Sequence, residues 1–158
     1  MVILGIDPGI ATTGYGTISS KTRDIFEVLD FGIITTKKTS TESERLEILS
    51  RDLHKLIKKY KPERIGVEKL FFTTNHKTAM SVSQARGVVL LIAQKNRVPA
   101  FEFTPLQVKS MVCGYGKAPK SQVQFMVQKA FKLKSLPKPD DAADALAIAL
   151  CASMKKLP

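Results

Sequence analysis

The chain has 158 residues, a one-domain length, and 44% of them are hydrophobic, which excludes a disordered tail. No apolar run reaches the ~18–20 residues of a membrane span, and no basic stretch leads into a long apolar segment, so neither a membrane partner nor a secretory signal is expected. Lys plus Arg number 25 against 14 Asp plus Glu, giving a net charge of +11 and a pI near 9.8. Such a balance points to a polyanionic partner, nucleic acid above all, with the lysine-rich surface of a heat-adapted protein as the plainer alternative.

Residues 2–7, "VILGID", are apolar and β-branched and predict a buried strand. Residues 14–20 and 25–35 predict two more, with "KTRD" (21–24) as a turn, which together suggest an antiparallel meander. The period then changes. Leu46, Leu49, Leu53, Leu56, Ile57 and Tyr60 recur at three- and four-residue steps and predict a helix from Thr41 to Tyr60. Thr41 with Glu44 fits a capping box, and Lys61-Pro62 closes the helix.

"RIGVEKL" (64–70) predicts a short strand interrupted by Glu68. Residues 75–96 predict a second helix with Asn75 as its cap, and 98–103 a fifth strand. Thr104-Pro105 is a cap followed by proline at the first helical position. "CGYGKAP" (113–119) is a loop expected to be mobile. "KSQVQFMVQKAFKL" is amphipathic, and "DDAADALAIALCASM" is a mostly apolar helix with aspartates in its first turn. This order predicts an α/β fold, a mixed five-stranded sheet with helices on both faces, in a single domain over 1–158. Cys113 and Cys151 lie far apart without metal-ligand spacing, which predicts free thiols in a reducing cytoplasm.

Four acidic residues are misplaced for structure alone. Asp7 ends the first strand, Glu68 ends the fourth, and Asp141 and Asp144 share a face of the last helix. If the first and fourth strands are neighbours, Asp7 and Glu68 end side by side and the last helix can join them. Four gathered carboxylates repel and would protonate unless divalent cations neutralise them. Oxygen ligands without a His or Cys cluster favour Mg²⁺ or Mn²⁺, and two such ions ~3.5–4 Å apart suit phosphodiester hydrolysis. Each residue also has a plainer role: Asp7 as a turn former, Asp140 or Asp141 as a helix cap, Glu68 as a lysine's partner.

"GIDPGIATTGYG" (5–16) also matches the phosphate-cradling hairpin of actin-like ATPases and sugar kinases. Those proteins clamp a nucleotide between two such domains, whereas this chain supplies one and contains neither a second glycine loop nor a Walker A pattern.

"GIDPGIATTGYG", "VEKLFF", "SQARGVVLL", "APKSQVQ" and "DDAADALAIAL" occur together and in order. With these blocks the sequence closely resembles the RuvC family of bacterial Holliday junction resolvases, from Met1 to about Met154. The resemblance implies an RNase H-like fold and a homodimeric endonuclease. Such an enzyme nicks two opposing strands of a four-way DNA junction symmetrically, with Mg²⁺ or Mn²⁺, beside a branch-migration helicase complex in the cytoplasm. It implies metal ligation and catalysis at Asp7, Glu68, Asp141 and Asp144, and basic residues near the scissile phosphate at Lys109 and Lys120. It also matches Phe71 to the aromatic that enters the junction centre, with Phe72 beside it; an exposed aromatic there stacks on an unpaired base. Lys69, Lys77, Arg86 and Lys117 are further candidates for DNA contact, Arg86 having a structural ion pair as its alternative. A stripe of small residues, Ala79, Ser83 and Gly87, followed by valine and leucine at 88–91, is the expected dimer contact. Other readings remain at this point: an RNase H-like nuclease acting on RNA or other branched DNA, a non-catalytic junction binder, or the nucleotide-binding fold.

Overall fold

The computed structural model describes residues 1–22, 25–69 and 76–155, the side chains of 76–78 excepted. The chain runs β1 (Val2–Asp7), β2 (Thr12–Ser20), β3 (Phe26–Thr35), α1 (Glu42–Tyr60), β4 (Arg64–Glu68), α2 (His76–Lys95), β5 (Ala100–Phe103), α3 (Pro105–Cys113), α4 (Lys120–Ala130) and α5 (Asp140–Met154). The five strands form one sheet in the order β3-β2-β1-β4-β5. β1, β2 and β3 pair antiparallel, while β1–β4 and β4–β5 pair parallel. This is the meander followed by crossover units that the pattern predicts. β2 begins two residues earlier than expected, and β4 ends at Glu68 as expected. Glu68 therefore terminates its strand as Asp7 terminates β1. The Asn75 cap, Phe71, Phe72 and part of the "KTRD" turn lie outside the described residues.

The helix ends follow their local chemistry. Thr41 and Glu44 form the reciprocal capping box, and Lys61 closes α1 in the left-handed region at φ 48°. Thr104 and Gln107 form a second box, with Pro105 just inside α3.

Alternation along β1 assigns its two faces. Leu4 and Ile6 pack with Leu53 and Ile57 of α1 and Val89 and Ile92 of α2. Ile3 lies on the opposite face with α3, α4 and α5. Gly5 and Asp7 share the Ile3 face by parity, so the strand's last residue points toward α5.

That face carries a row of glycines. Gly16, Gly5 and Gly66 are in register across β2, β1 and β4. A Cβ on Gly5 would stand 2.0 Å from Ala145 O and 2.5 Å from Ala149 N; on Gly16 it would meet Leu146 at 2.8 Å, and on Gly66 Ile148 at 2.9 Å. The row is thus a trough in which the backbone of α5 lies directly on the sheet. The helix that fills it is buried from Ala142 to Ala152 at every residue except Asp144, through "AA" and "ALAIALCA". At its far end, buried Arg64 of β4 donates from Nη1 to the carbonyls of Ala152 (3.0 Å) and Lys155. A cation there satisfies terminal carbonyls and suits the helix's negative end. Trough and arginine together set α5 in depth and along its axis.

Candidate active site

The seating of α5 assembles the site. Its N-terminus lies over the ends of β1 and β4, where a Cβ on Gly14, the residue paired with Asp7, would stand 2.1 Å from Asp141 O. Asp7, Asp141 and Asp144 each offer a carboxylate oxygen within 4.8 Å of the others. Glu68 lies outside that mutual set but accepts a hydrogen bond from the Asp7 carboxyl. A cleft of about 180 Å³ opens beside them, lined by Glu68, Asp144, Lys109, Lys120 and the apolar Val108, Val123 and Ile148.

The plainer roles for these aspartates fail on geometry. The Pro8–Ala11 turn is closed by Thr13, whose hydroxyl donates to Gly9 O and accepts from Gly9 N, not by Asp7. The N-cap position of α5 is Pro139, with no side-chain cap bond, so neither Asp140 nor Asp141 caps the helix. The glycines of the hairpin do not clear room for a phosphate or for DNA on this face either, because α5 fills the space beside Gly14 and Gly16.

Crowding has an electrostatic consequence. Burial, followed by the charges of Glu68, Asp144 and Asp141, pushes the Asp7 carboxyl from 3.8 up to about 8. Glu68 is raised by burial and by Asp144, against the opposing hydrogen bond from Asp7 and the charge of Lys120. Asp144 is also raised by burial, partly offset by its hydrogen bond and ion pair with Lys120. Burial pulls Lys120 down, but Asp144 and Asp140 outweigh it and hold the ammonium above its ordinary value. The cluster is short of positive charge. Three carboxylate oxygens within reach of one point, with no nitrogen or sulfur donor among them, fit a hard divalent cation.

The remaining candidates fall in different places. Lys120 is the first residue of α4, its Nζ 2.9 Å from Asp144 and 3.4 Å from Asp140. Lys109 of α3 lines the same cleft. Lys69 directly follows Glu68 and is exposed, as is Lys117 in the loop before α4. Arg86 takes its structural alternative: Nε donates to Glu102 of β5 at 2.6 Å and Nη2 to the same carboxylate, so its guanidinium is committed to the scaffold. Phe71, Phe72 and the Lys77 side chain lie outside the described residues. Sequence reasoning missed the glycine trough and Arg64. The trough had a signal, since Gly5, Gly16 and Gly66 are strand glycines, which a sheet keeps where another backbone approaches closely.

Fold and site together define a class: an RNase H-like domain with a carboxylate centre where β1, β4 and α5 meet. The family described as "Crossover junction endodeoxyribonuclease RuvC" matches residues 3–152. The chain belongs to the RuvC family. It is 52% identical over 151 residues to the crossover junction endodeoxyribonuclease RuvC of Alkaliphilus oremlandii, covering 96% of this chain and 92% of that protein. It is 50% identical to the RuvC of Clostridioides difficile, covering 96% and 89%. Among solved structures, Thermus thermophilus RuvC in complex with a Holliday junction substrate superposes with a TM-score of 0.90 at 35% identity, covering 95% of this chain and 91% of that one.

Proposed function

We infer that the chain is a metal-dependent, structure-specific endodeoxyribonuclease that resolves four-way DNA junctions by symmetrical paired nicks during recombination and repair. The observation that carries the reading is the cluster of Asp7, Asp141 and Asp144 beside Glu68, at the end of a sheet shared with a family of junction nucleases. Asp7, Asp141 and Asp144 would hold Mg²⁺ or Mn²⁺, with Glu68 completing a two-ion site. When bound, such ions supply Lewis acidity and a water ionised near neutral pH. The chain's own residues do the rest. Lys109 and Lys120 line the cleft and offer positive charge to the phosphate whose ester bond breaks. Lys69 and Lys117, both exposed, serve as backbone contacts, joined by Lys77, while Phe71 with Phe72 enters the junction. A net charge of +11 draws the DNA in before any of these contacts form.

Two equivalent cuts ask for two equivalent sites, hence a homodimer. Support comes from α2, which exposes Met80 (72%) and Leu91 (53%) on the face of Ser83 and Gly87. Among the described residues, nothing lies within 4 Å of where a Cβ on Gly87 would stand. A mid-helix glycine costs ~1 kcal/mol against alanine, and no described neighbour requires it. Close approach of a second α2 does. The dimer would act in the cytoplasm on nucleoid DNA, beside a branch-migration helicase complex. No described helix is long and apolar enough to cross a membrane.

Competition tests the substrate. Unlabelled junction should suppress cleavage of labelled junction far better than plain duplex or RNA–DNA hybrid of equal length. Equal suppression by duplex or hybrid would assign the site to another nucleic acid.

A further inference from the structure

The pair "DD" at 140–141 has one member in the cluster and one outside it. Asp140 does not belong to the mutual set of Asp7, Asp141 and Asp144. Its carboxylate is tied to α4 instead. Oδ1 accepts from Gln124 Nε2 at 3.2 Å, and Oδ2 lies 3.4 Å from Lys120 Nζ. Lys120 and Gln124 are four residues apart, one above the other on the same face of α4.

The same ammonium lies 2.9 Å from Asp144 Oδ2. One lysine therefore bridges a carboxylate inside the cluster and a carboxylate outside it. A divalent cation on Asp144 and the Lys120 ammonium compete for one carboxylate, and two cations on one carboxylate repel. The lysine has three donors on a flexible four-carbon stem, so it can give up Asp144 and keep Asp140 without backbone movement. Asp140 is the better resting place, being 63% exposed against 28% for Asp144, and its other oxygen is already fixed by Gln124.

We propose that Asp140 is a positioning residue that keeps the Lys120 ammonium at the cleft when a divalent cation takes Asp144. Lys120 exchanges one carboxylate for the other rather than swinging into solvent, and stays where a phosphate would arrive. The inference rests on the metal reading of the cluster given above. It explains why a second aspartate, with no place in the cluster, directly precedes Asp141. An ion pair this exposed adds little to stability, so placement is its consequence.

The test is calorimetric titration of the DNA-free chain with Mn²⁺, in wild type, Lys120→Met, Asp140→Asn and the double variant. Lys120→Met removes the competitor and should tighten Mn²⁺ binding about tenfold. Asp140→Asn removes the alternative seat and should weaken binding about threefold when Lys120 is present, and not when it is Met. Asp140→Glu should restore wild-type affinity. Equal losses in both backgrounds would make Asp140 a plain through-space charge and overturn the proposal, as would no loss in either or unchanged affinity in Lys120→Met. A wild type that takes up no Mn²⁺ at millimolar concentration is a different failure, that of the metal reading itself. Thermal melts by circular dichroism check that all five proteins are folded.

Discussion

Replacing Asp7 by asparagine should stabilise the metal-free protein, and by an amount that grows with pH. An acid whose folded pKa exceeds its unfolded value binds more protons folded than unfolded, so stability falls as pH rises through that interval. For Asp7 the interval runs from 3.8 to about 8. Below it the carboxyl is neutral in both states and has no effect; above it the full penalty of a buried, surrounded carboxylate is present. A rise of that size corresponds to on the order of 5 kcal/mol. Water at the cleft edge screens part of it, so about 3 kcal/mol is the expected difference. Asparagine is close in shape to the neutral acid and can still donate to Glu68. Urea unfolding in EDTA at pH 4, 6 and 9 measures the effect, since titrations of groups remote from Asp7 cancel in the comparison. The advantage of Asp7→Asn should be smallest at pH 4 and largest at pH 9. Added Mg²⁺ at pH 8 should stabilise wild type and not the variant. An advantage that does not change between pH 4 and pH 9 would refute the reasoning.

Gly5→Ala would place a Cβ 2.0 Å from the backbone oxygen of Ala145, which no rotamer change relieves; we expect a loss of at least about 3 kcal/mol in urea unfolding, with cleavage falling as α5 and its aspartates shift. Phe71→Ala should slow junction cleavage while Mn²⁺ binding stays at the wild-type level; cleavage at the wild-type rate would remove the stacking role. Leu91→Glu adds a charge to the exposed face of α2 and should shift the protein from dimer to monomer in sedimentation, with paired nicks lost. A variant that still sediments as a dimer would place the interface elsewhere.

What was legible in the sequence follows from which constraints are local. The capping boxes at Thr41 and Thr104 and the apolar stripe of α1 depend on residues within a few positions of one another, so their spacing carried them. Asp7, Glu68, Asp141 and Asp144 stood out because an ionisable group is conspicuous at the end of an apolar strand or at the head of an apolar helix. Their meeting required β1 beside β4, which the meander-then-crossover order permitted and the sheet bears out. Long-range close approach was harder to read. Gly14 and Gly16 suggested hairpin geometry, while their use is to admit the backbone of α5, a partner some 130 residues away in the sequence. Arg64 and Arg86 are indistinguishable as letters. Only the fold shows that the first holds the end of α5 and the second pairs with Glu102. Asp140 and Asp141 are likewise adjacent in the chain, and the turn of the helix separates them, one toward the cluster and one toward α4.

If the carboxylate cluster cuts junction DNA through divalent metal, cleavage must need both the metal and Asp7. The measurement is cleavage of a synthetic four-way junction by wild type and Asp7→Asn, with and without Mg²⁺, mapped at nucleotide resolution alongside binding. Wild type should leave one nick on each of two opposing strands at symmetrical positions, only with metal present, and Asp7→Asn should bind the junction without nicking it. Undiminished cutting by Asp7→Asn, or wild-type binding with no metal-dependent nicks, would contradict the account.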